Sequence, residues 1–414
     1  MRQKFIENGY EIVEFEEKAN IYIINTCTVT NMSDRKSRQI IRRVKDINKS
    51  AILVVTGCYA QVAKNELDKM EDIDIVLGNI EKKDVVKTIE DFIKTNKKEN
   101  IVSDIMKERY ITEFEVAAYT EKTRAVVKIQ DGCDRFCSYC IIPYARGRVR
   151  SRKIQDIVDE IEEISKQGIK EVVITGIHIA SYGKDFKEDI SLIDLLKEIN
   201  KIEGINRIRL GSIEPTLINE EFIKELVKLE KICDHFHLSL QSGCDETLKR
   251  MNRRYTTKEF ENSTNLIKKN YPNVALTTDI IVGFPGESKK EFLETYQYLD
   301  KIDFYKMHIF KYSPRKGTKA AIMENQIDGN TKELRSNKLI ELSNKKEIEH
   351  NKQYIEKEVS VLLEEREGEF IKGHTTNYIN VYVKTNKEGI ENEIVNVKIK
   401  DTYKDGLTGE IENM

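Results

Sequence analysis

The residues of this chain best suited to chemistry are three cysteines near its middle. Cys133, Cys137 and Cys140 have the spacing C-x3-C-x2-C within the segment QDGCDRFCSYCIIPYARGRVRSR. Four-iron clusters are normally held by four thiolates, so three cysteines would leave one iron without a protein ligand. An iron of that kind can bind and activate a substrate. A zinc site is the alternative, but zinc sites take four ligands, often as paired C-x2-C units, and the nearest histidine, His178, is far along the chain.

Composition restricts the class of protein that could carry such a cluster. The chain has 414 residues, of which 34% are charged, and it contains seven cysteines. No run reaches the apolar length of a membrane span, and we find no apolar signal-peptide core. Cysteines in a large chain of this type indicate a reducing cytoplasm and roles as ligands or in catalysis. We therefore expect a cytoplasmic protein, monomeric by default because no oligomer signature appears.

The first hundred residues alternate short apolar runs with amphipathic stretches, which predicts an α/β domain with a parallel sheet. Cys27 and Cys58 directly follow the first two apolar runs, at the sheet edge where open α/β domains place their sites. They are either ligands of a second cluster or buried structural cysteines. The predicted strands are 20–26, 51–56 and 73–77, and the predicted helices are 34–46, 62–70 and 81–94.

A longer strand–helix alternation begins at Arg124 and predicts a partial (β/α)6 barrel with its chemistry at the carboxyl ends of the strands. From Val359 the pattern changes to short alternating strands, which predicts a small β-barrel. The predicted domains are 1–100, a linker at 101–122, 123–350 and 351–414. The predicted strands of the larger barrel are 125–130, 171–175, 207–210, 235–240, 273–281 and 304–310.

Several residues at the ends of these strands are candidates for binding a cofactor. Gly283, Gly286 and Glu287 follow the fifth barrel strand, where glycine permits close approach of the backbone to a ligand. The same segment could instead be a simple turn with Ser288 as the helix N-cap. Glu214 ends the third strand and could reach a cofactor or substrate. We interpret the remaining candidates as either substrate contacts or structural residues: Gln241, Ser242, His178 and His308, with His235, His237, Cys233 and Cys244 read as structural.

Basic residues form local groups although the chain as a whole is balanced, with 69 Lys and Arg against 71 Asp and Glu. Guanidinium groups suit phosphate oxygens, and residues two apart in an extended segment face the same way. These groups predict contacts with RNA; solvated surface is the alternative, and an arginine could also hold a cofactor carboxylate or pair with Glu214. The groups are Arg146, Arg148, Arg150 and Arg152; Lys311, Arg315, Lys316 and Lys319; and Arg35, Lys36, Arg38, Arg42, Arg43 and Lys45.

Motifs along the whole chain resemble those of a known family. The cysteine segment resembles the signature of radical S-adenosylmethionine (SAM) enzymes. Together with LSLQSGCDETLKRMNRRYT, TDIIVGFPGES and HIFKYSPRKGTKAA, it resembles the methylthiotransferases. The order of an α/β domain, a radical-SAM barrel and a small β-barrel, called TRAM in that family, is also similar. The C-terminal 64 residues nevertheless carry more acid than base, and that charge counts against RNA binding by the small barrel.

The resemblance implies a fold, a reaction, cofactors and site residues. It implies a [4Fe–4S] cluster on Cys133, Cys137 and Cys140, with SAM on its open iron and Tyr139 packed near SAM. It implies a second, auxiliary [4Fe–4S] cluster in the N-terminal domain. One SAM methylates sulfur there, and the other yields a 5′-deoxyadenosyl radical that removes hydrogen from carbon 2 of an adenosine beside the anticodon. The implied partners are the tRNA anticodon stem-loop and an electron donor such as flavodoxin or ferredoxin.

The family has three branches, acting on N6-threonylcarbamoyladenosine, on isopentenyladenosine, or on a ribosomal-protein aspartate. TGIHIASYG and HIFKYSPRKGT are most similar to the first branch. The family also places three cysteines at the auxiliary cluster, whereas Cys27 and Cys58 are the two found here. We expect the first strand and its cysteine to be missing from this chain, so a SAM-cleaving, RNA-binding protein defective in sulfur insertion is an alternative function.

Overall fold

The computed structural model describes residues 1–111 and 123–412, so part of the sequence-predicted linker at 101–122 lies outside the described residues. The chain forms two compact units. The N-terminal unit comprises the described part of Met1–Ala117 together with Asp131–Arg150 and Ser313–Ile322. The barrel unit comprises the rest. The cysteine loop therefore belongs to the same compact unit as Cys27 and Cys58.

The N-terminal unit is built on a four-stranded sheet in the order β1-β2-β3-β4, with all pairs parallel. The three predicted apolar runs form the first three strands. β2 and β3 are almost wholly buried, as expected where helices cover a parallel sheet, whereas β1 is buried only at alternate residues. β4 was not predicted and lies at the edge of the weakly patterned segment. The strands are β1 (Ile21–Thr26), β2 (Ile52–Gly57), β3 (Ile75–Leu77) and β4 (Glu99–Ile101).

Helices of this unit follow the amphipathic stretches. Thr30 caps the longest of them, accepting a hydrogen bond from the Ser33 N–H at 3.1 Å. The helix predicted over 62–70 is instead two short helices that meet at Ala63, and the first begins at Cys58. The helices are α1 (Arg2–Glu7), α2 (Asn31–Ile47), α3 (Cys58–Val62), α4 (Lys64–Leu67), α5 (Val85–Thr95) and α6 (Ile142–Arg146).

The barrel unit contains the predicted strand–helix alternation. Its strands form two sheets, in the orders β6-β5-β7-β8 and β11-β10-β9, and a parallel bridge between Ile213 and Leu238 links β8 to β9. The strands are β5 (Arg124–Asp131), β6 (Arg150–Ser151), β7 (Glu171–Gly176), β8 (Arg207–Leu210), β9 (His235–His237), β10 (Ala275–Val282) and β11 (Lys306–Lys311).

The two faces of these barrel strands differ in chemistry. Alternate residues such as Val172, Ile208, Phe236 and Leu276 are fully or almost fully buried in the core that the surrounding helices complete. The intervening residues on the other face are mostly polar. The helices are α7 (Ile154–Lys166), α8 (Leu192–Lys201), α9 (Glu220–Leu226), α10 (Asp245–Arg250), α11 (Thr257–Asn270), α12 (Lys289–Lys301) and α13 (Gly329–Lys352).

The C-terminal strands close into a small barrel in the order β12-β13-β14-β16-β15. Its core includes Ala275 and Tyr305 from the larger barrel, so the two barrels pack against each other. The predicted fold class is confirmed. Among the described helices, none combines the length and hydropathy needed to cross a membrane. The strands are β12 (Glu358–Glu367), β13 (Phe370–Thr375), β14 (Asn380–Lys384), β15 (Ile394–Tyr403) and β16 (Gly406–Ile411).

Candidate active site

The three spaced cysteines lie on the loop that connects β5 to α6, and each is partly exposed. The loop is closed at its base by a hydrogen bond of 3.0 Å from the Cys133 N–H to the Gly147 carbonyl. Gly132 has a φ of +72°, and a Cβ there would lie 1.8 Å from the Arg148 carbonyl oxygen. Only glycine permits this close crossing of the two loop ends. The backbone thus fixes where the thiols are presented.

One of the three thiols has a backbone hydrogen-bond donor beside it. The Arg135 N–H lies 3.5 Å from the Cys133 Sγ, the type of donor that stabilises a cluster thiolate. Across the described residues, no three His, Cys, Asp or Glu side chains converge on one metal position. A cluster does not require convergence, because each of its thiolates binds a different iron.

Cys27 and Cys58 follow neighbouring strands at the same level of the sheet. β1 and β2 pair in parallel with Thr26 opposite Gly57, so both chains reach a cysteine at the next residue. Adjacent strands are about 4.8 Å apart, which places the two cysteines side by side at the carboxyl edge. Cys58 is buried and is the first residue of α3, whereas Cys27 is exposed. The register therefore brings together two thiols from residues 31 positions apart.

Gly57 makes this arrangement possible. It has a φ of +102°, and a Cβ at this position would lie 2.3 Å from the Thr26 carbonyl oxygen. The Thr26 hydroxyl in turn donates to the Thr56 carbonyl at 2.5 Å. The two strand ends are therefore in close backbone contact immediately before the cysteines.

Arg146 connects the cysteine loop to the second thiol pair. Its Nε donates to the Cys58 Sγ at 3.1 Å, and its Nη1 lies 3.5 Å from the Asp131 carboxylate. Burial opposes the charge of this guanidinium, but Cys58, Asp131 and Cys27 together raise its pKa above the usual value. A guanidinium held in this way stabilises thiolates and sulfide rather than neutral thiols.

Arg315 anchors the segment that carries Cys27. Although it was predicted to contact RNA, it is 5% exposed and belongs to the N-terminal unit. It donates to Asp34 at 2.6 Å, to Asn31 at 2.7 Å and to Thr28 at 2.5 Å. Thr28 is the residue after Cys27, so this network fixes the loop after β1. A guanidinium that is buried and bonded through both of its Nη atoms is not available to phosphate, and the RNA-contact prediction for Arg315 is corrected.

The four alternating arginines do not form the common exposed row that was predicted. Arg146 ends a helix, and the extended segment is limited to Arg150 and Ser151. Arg150 is 5% exposed and bonds to the Arg146 carbonyl at 2.7 Å. Arg152 pairs with Glu160 and donates to the Lys128 carbonyl at 3.1 Å. Arg148 is the exposed member, 3.1 Å from Asp134.

The other basic groups are more exposed. Lys316 has a 92% exposed side chain with a loose pairing to Glu66 at 3.5 Å, and Lys311 pairs with Glu333 at 2.5 Å on the surface. Lysines in such surface pairs remain available to an anionic partner because exposed ion pairs are weak. Their contact with RNA stays a prediction.

In the barrel unit, Glu214 is the centre of a buried polar network. Its carboxylate is 3.0 Å from His178 Nε2 and 3.7 Å from Arg253 Nη2. His178 Nδ1 is held in turn by the Ser181 hydroxyl at 2.6 Å. The sequence predicts Glu214 and His178 as separate candidates. Both follow neighbouring parallel strands, β7 and β8, and for that reason they meet at one edge of the sheet. The network presents oriented polar groups where barrel enzymes bind ligands.

The IVGFPGE loop has a buried acid at its centre. Glu287 accepts hydrogen bonds from the N–H groups of Gly283 at 2.7 Å and Phe284 at 3.2 Å, and it pairs with Arg335 at 2.8 Å. Burial raises the pKa of Glu287, against the opposing effect of Arg335. Glu287 therefore shapes the loop, and its two oxygens already have partners. Ser288 is the N-cap of α12, as the alternative reading expected.

Tyr139 lies on the cysteine loop, whereas Cys233 and Cys244 lie in buried structural surroundings. Tyr139 is partly exposed, and its neighbour Ser138 is buried, where its carbonyl accepts from the Ala320 N–H at 2.7 Å. Cys233 is fully enclosed, and burial raises its pKa to about 12. Burial also raises the pKa of Cys244. Both cysteines are buried, and the structural role read for them from the sequence stays a prediction.

Comparisons with known proteins agree with this geometry. Residues 127–299 match the family described as the Radical SAM superfamily, and residues 1–78 match the one described as Uncharacterized protein family UPF0004. A Bacillus subtilis protein named threonylcarbamoyladenosine tRNA methylthiotransferase MtaB is 43% identical over 96% of this chain and 89% of its own length. Its Aquifex aeolicus namesake is 43% identical over 92% of each chain.

A second group of relatives carries another name. A Clostridium tetani protein named tRNA-2-methylthio-N(6)-dimethylallyladenosine synthase is 37% identical over 97% of this chain and 90% of its own. Among solved structures, the radical SAM methyltransferase TsrM from Kitasatospora setae matches with a TM-score of 0.55. That match has 16% identity and covers 74% of this chain and 65% of TsrM, so it supports the fold alone.

Proposed function

This chain belongs to the radical-SAM methylthiotransferase family, and on that premise we propose that it methylthiolates carbon 2 of N6-threonylcarbamoyladenosine at position 37 of tRNA. The observation that carries the choice of substrate is the 43% identity, over nearly the whole chain, to two relatives named for that nucleoside. Relatives named for dimethylallyladenosine are less similar, at 37%.

The proposed reaction replaces a C2–H bond with a C2–S–CH3 group. The methyl group comes from one SAM, which leaves as S-adenosylhomocysteine. The hydrogen leaves C2 in 5′-deoxyadenosine, formed with methionine from a second SAM. The sulfur comes from a sulfide source, which loses a proton when it is methylated. A one-electron donor of the flavodoxin or ferredoxin class supplies the electron that starts SAM cleavage, and formation of the C2–S bond releases one electron, so the overall reaction consumes no net reductant.

Cys133, Cys137 and Cys140 would hold the cluster to which SAM binds, and that cluster, when bound, supplies the electron that cleaves SAM. Their spacing and the backbone N–H directed at Cys133 support this role. Tyr139, Glu214, Gly283 and Gly286 are proposed to line the SAM site.

Cys27 and Cys58 are proposed to bind the auxiliary cluster. The strand register that places them side by side supports this role, and so does the guanidinium of Arg146 next to Cys58. Arg146 would offset the negative charge that thiolates and sulfide bring to this edge of the sheet.

The proposed macromolecular partner is the anticodon stem-loop. Exposed Arg148, Lys311 and Lys316 provide positive charge for the phosphate backbone. If they do so, tRNA affinity should fall steeply as salt increases. We propose that the protein acts in the cytoplasm as a monomer.

Nucleoside analysis tests the proposal. The reconstituted protein is incubated with SAM, a reductant, sulfide and tRNA that carries either threonylcarbamoyladenosine or isopentenyladenosine. We expect a product heavier by one sulfur and one CH2 with the first tRNA. Product with the second tRNA would instead assign the chain to the dimethylallyladenosine branch. SAM cleavage with neither product would favour an RNA-binding protein defective in sulfur insertion.

Cysteine variants separate the two clusters. Changing Cys133, Cys137 and Cys140 to Ala should abolish 5′-deoxyadenosine formation and remove about four irons per chain. Changing Cys27 and Cys58 to Ala should retain SAM cleavage and abolish the methylthio product. Cys244→Ala is the matched control, a thiol outside both groups, and should change neither. Retained methylthio product without Cys27 and Cys58 would contradict the auxiliary-site assignment.

A further inference from the structure

A cavity of about 670 Å³ lies between the polar face of the barrel strands and the start of the small C-terminal barrel. Its volume is within the range of about 300–1,000 Å³ that is typical of small-molecule sites. Strands β7, β9, β10 and β11 contribute alternate residues to it, and β8 contributes its last two residues. Opposite them lie Lys372, His374, Tyr378 and Asn380 from the loop and strands β13 and β14.

The wall of the cavity carries more positive than negative charge. Three cationic side chains line it, Arg209, Lys306 and Lys372, against one acid, Asp279. Arg209 is neutralised by Glu171, which it contacts at 2.7 Å. Lys306 pairs with Glu347 at 2.8 Å.

Lys372 differs from the other two cations. It makes no ion pair within 4 Å in the part of the chain that the structure describes. Its ammonium lies over the ring of Tyr382 at 5.6 Å, and it is only partly exposed. Burial opposes the charge of Asp405, but the Tyr382 hydroxyl and the charges of Lys372 and Lys306 lower the pKa of this carboxyl. Its carboxylate accepts hydrogen bonds from Asn380 at 2.7 Å and from the Tyr382 hydroxyl at 2.7 Å. Lys372 is thus a cation available to a carboxylate inside the cavity.

Histidines supply oriented hydrogen-bonding groups beside these cations. His235 Nε2 and His237 Nδ1 both lie 3.0 Å from the Thr277 hydroxyl, and His237 Nε2 is 3.2 Å from Asp279. His235 is 6% exposed, and its Nδ1 has no partner among the described residues. An unpartnered buried ring nitrogen costs free energy unless a ligand satisfies it.

We propose that this cavity receives the substituent on N6 of the target adenosine and selects one that carries a carboxylate and a hydroxyl, with Lys372 as the specificity-determining residue. The inference rests on the proposed function and deepens it. A threonylcarbamoyl group offers a carboxylate to Lys372, and a hydroxyl and carbonyl to the histidine side. An isopentenyl group offers neither, so it would leave buried donors and a cation without partners. Sites built for polar groups discriminate strongly against analogues that lack them.

The test compares anticodon stem-loops that carry N6-threonylcarbamoyladenosine or its carboxylate methyl ester. With the wild-type protein, esterification should lower kcat/KM for methylthiolation by about 10- to 150-fold, the range for one charge-assisted hydrogen bond. With Lys372→Met, the acid should react as poorly as the ester does with the wild type, and esterification should change nothing further. Lys372→Arg should restore most of the preference for the acid.

Lys384→Met is the matched control. Lys384 lies on the neighbouring β14, but its side chain is 66% exposed and pairs with Glu369 at 2.6 Å, outside the cavity. This variant should keep the full wild-type preference. If Lys372→Met does not fold, as judged by SAM cleavage without RNA, Lys372→Gln replaces it.

The outcomes distinguish this inference from the proposed function. If the wild-type protein makes no methylthio product on threonylcarbamoyladenosine, the proposed function fails. If it makes that product but Lys372→Met discriminates between acid and ester as the wild type does, the cavity inference alone is overturned.

Discussion

Arg315→Met should destabilise the N-terminal unit strongly, although the residue lies in a basic segment whose sequence is typical of an exposed surface. Arg315 is buried and holds Asp34 at 2.6 Å, with further bonds to Asn31 and Thr28. Methionine has a similar length but no charge, so the substitution leaves the Asp34 carboxylate buried without its cation. Breaking one side of a buried ion pair costs about 3–5 kcal/mol.

Hydrogen exchange of the most protected amides of α2 measures this loss in the unit concerned. Since about 1.4 kcal/mol corresponds to a tenfold change, these amides should exchange roughly 150- to 5,000-fold faster in the variant. Lys316→Met is the matched control, because Lys316 is the adjacent residue with a 92% exposed side chain. An exposed pair contributes about 0–1 kcal/mol, so its exchange should stay close to wild type.

A second substitution checks the assigned cause. Adding Asp34→Asn to Arg315→Met removes the orphaned charge and should recover part of the lost protection. The reasoning is refuted if the α2 amides are as well protected from exchange in Arg315→Met as they are in Lys316→Met. If Arg315→Met also lowers tRNA affinity while the unit keeps its stability, the original RNA-contact prediction was right after all.

Two further substitutions test the backbone and the pH response. Gly57→Ala should lower the free energy of unfolding of the N-terminal unit by about 1–3 kcal/mol or more, because it adds strain at a φ of +102° and a contact with the Thr26 carbonyl. Urea unfolding measures this loss. Gly168→Ala is the control for backbone strain without a steric contact, since Gly168 has a φ of +82° and open space around it. Burial lowers the pKa of His350, which packs against Tyr305. As the pH falls, this histidine is therefore protonated in the unfolded chain at a higher pH than in the folded protein. Protonation then favours the unfolded state, so His350 should reduce stability below about pH 6.5. The unfolding midpoint of His350→Phe should therefore fall less than that of the wild type between pH 7 and 5; equal falls would contradict this.

Secondary structure was largely accessible from the sequence because each element follows a local pattern. The apolar runs at 51–56 and 207–210 became β2 and β8 within one residue. β4 was missed because three residues at a sheet edge, none of them fully buried, leave little periodicity.

The candidate site was predictable only where the spacing of residues along the chain is itself typical of a ligand set. The C-x3-C-x2-C run needed no partner to be noticed. The RNA-contact predictions for Arg315 and Arg150 failed because the sequence does not distinguish an arginine exposed to solvent from one that is buried against other protein groups. Asp34 lies 281 residues from Arg315, so the pairing depends on the fold. The polar lining of the cavity could have been inferred from the alternation in HFH, TTD and KMH.

The discontinuity of the N-terminal unit has a consequence for how the protein is made. The last of the four strands described in its sheet ends at residue 101, but its last segment is Ser313–Ile322. On the ribosome the chain is made from the N-terminus, so the Cys27 loop waits for Arg315 while more than two hundred intervening residues, most of them in the barrel unit, are synthesised. The edge that carries Cys27 and Cys58 therefore reaches its final form late in synthesis. If these cysteines hold the proposed auxiliary cluster, iron and sulfide can be delivered to it productively only after most of the chain has been translated.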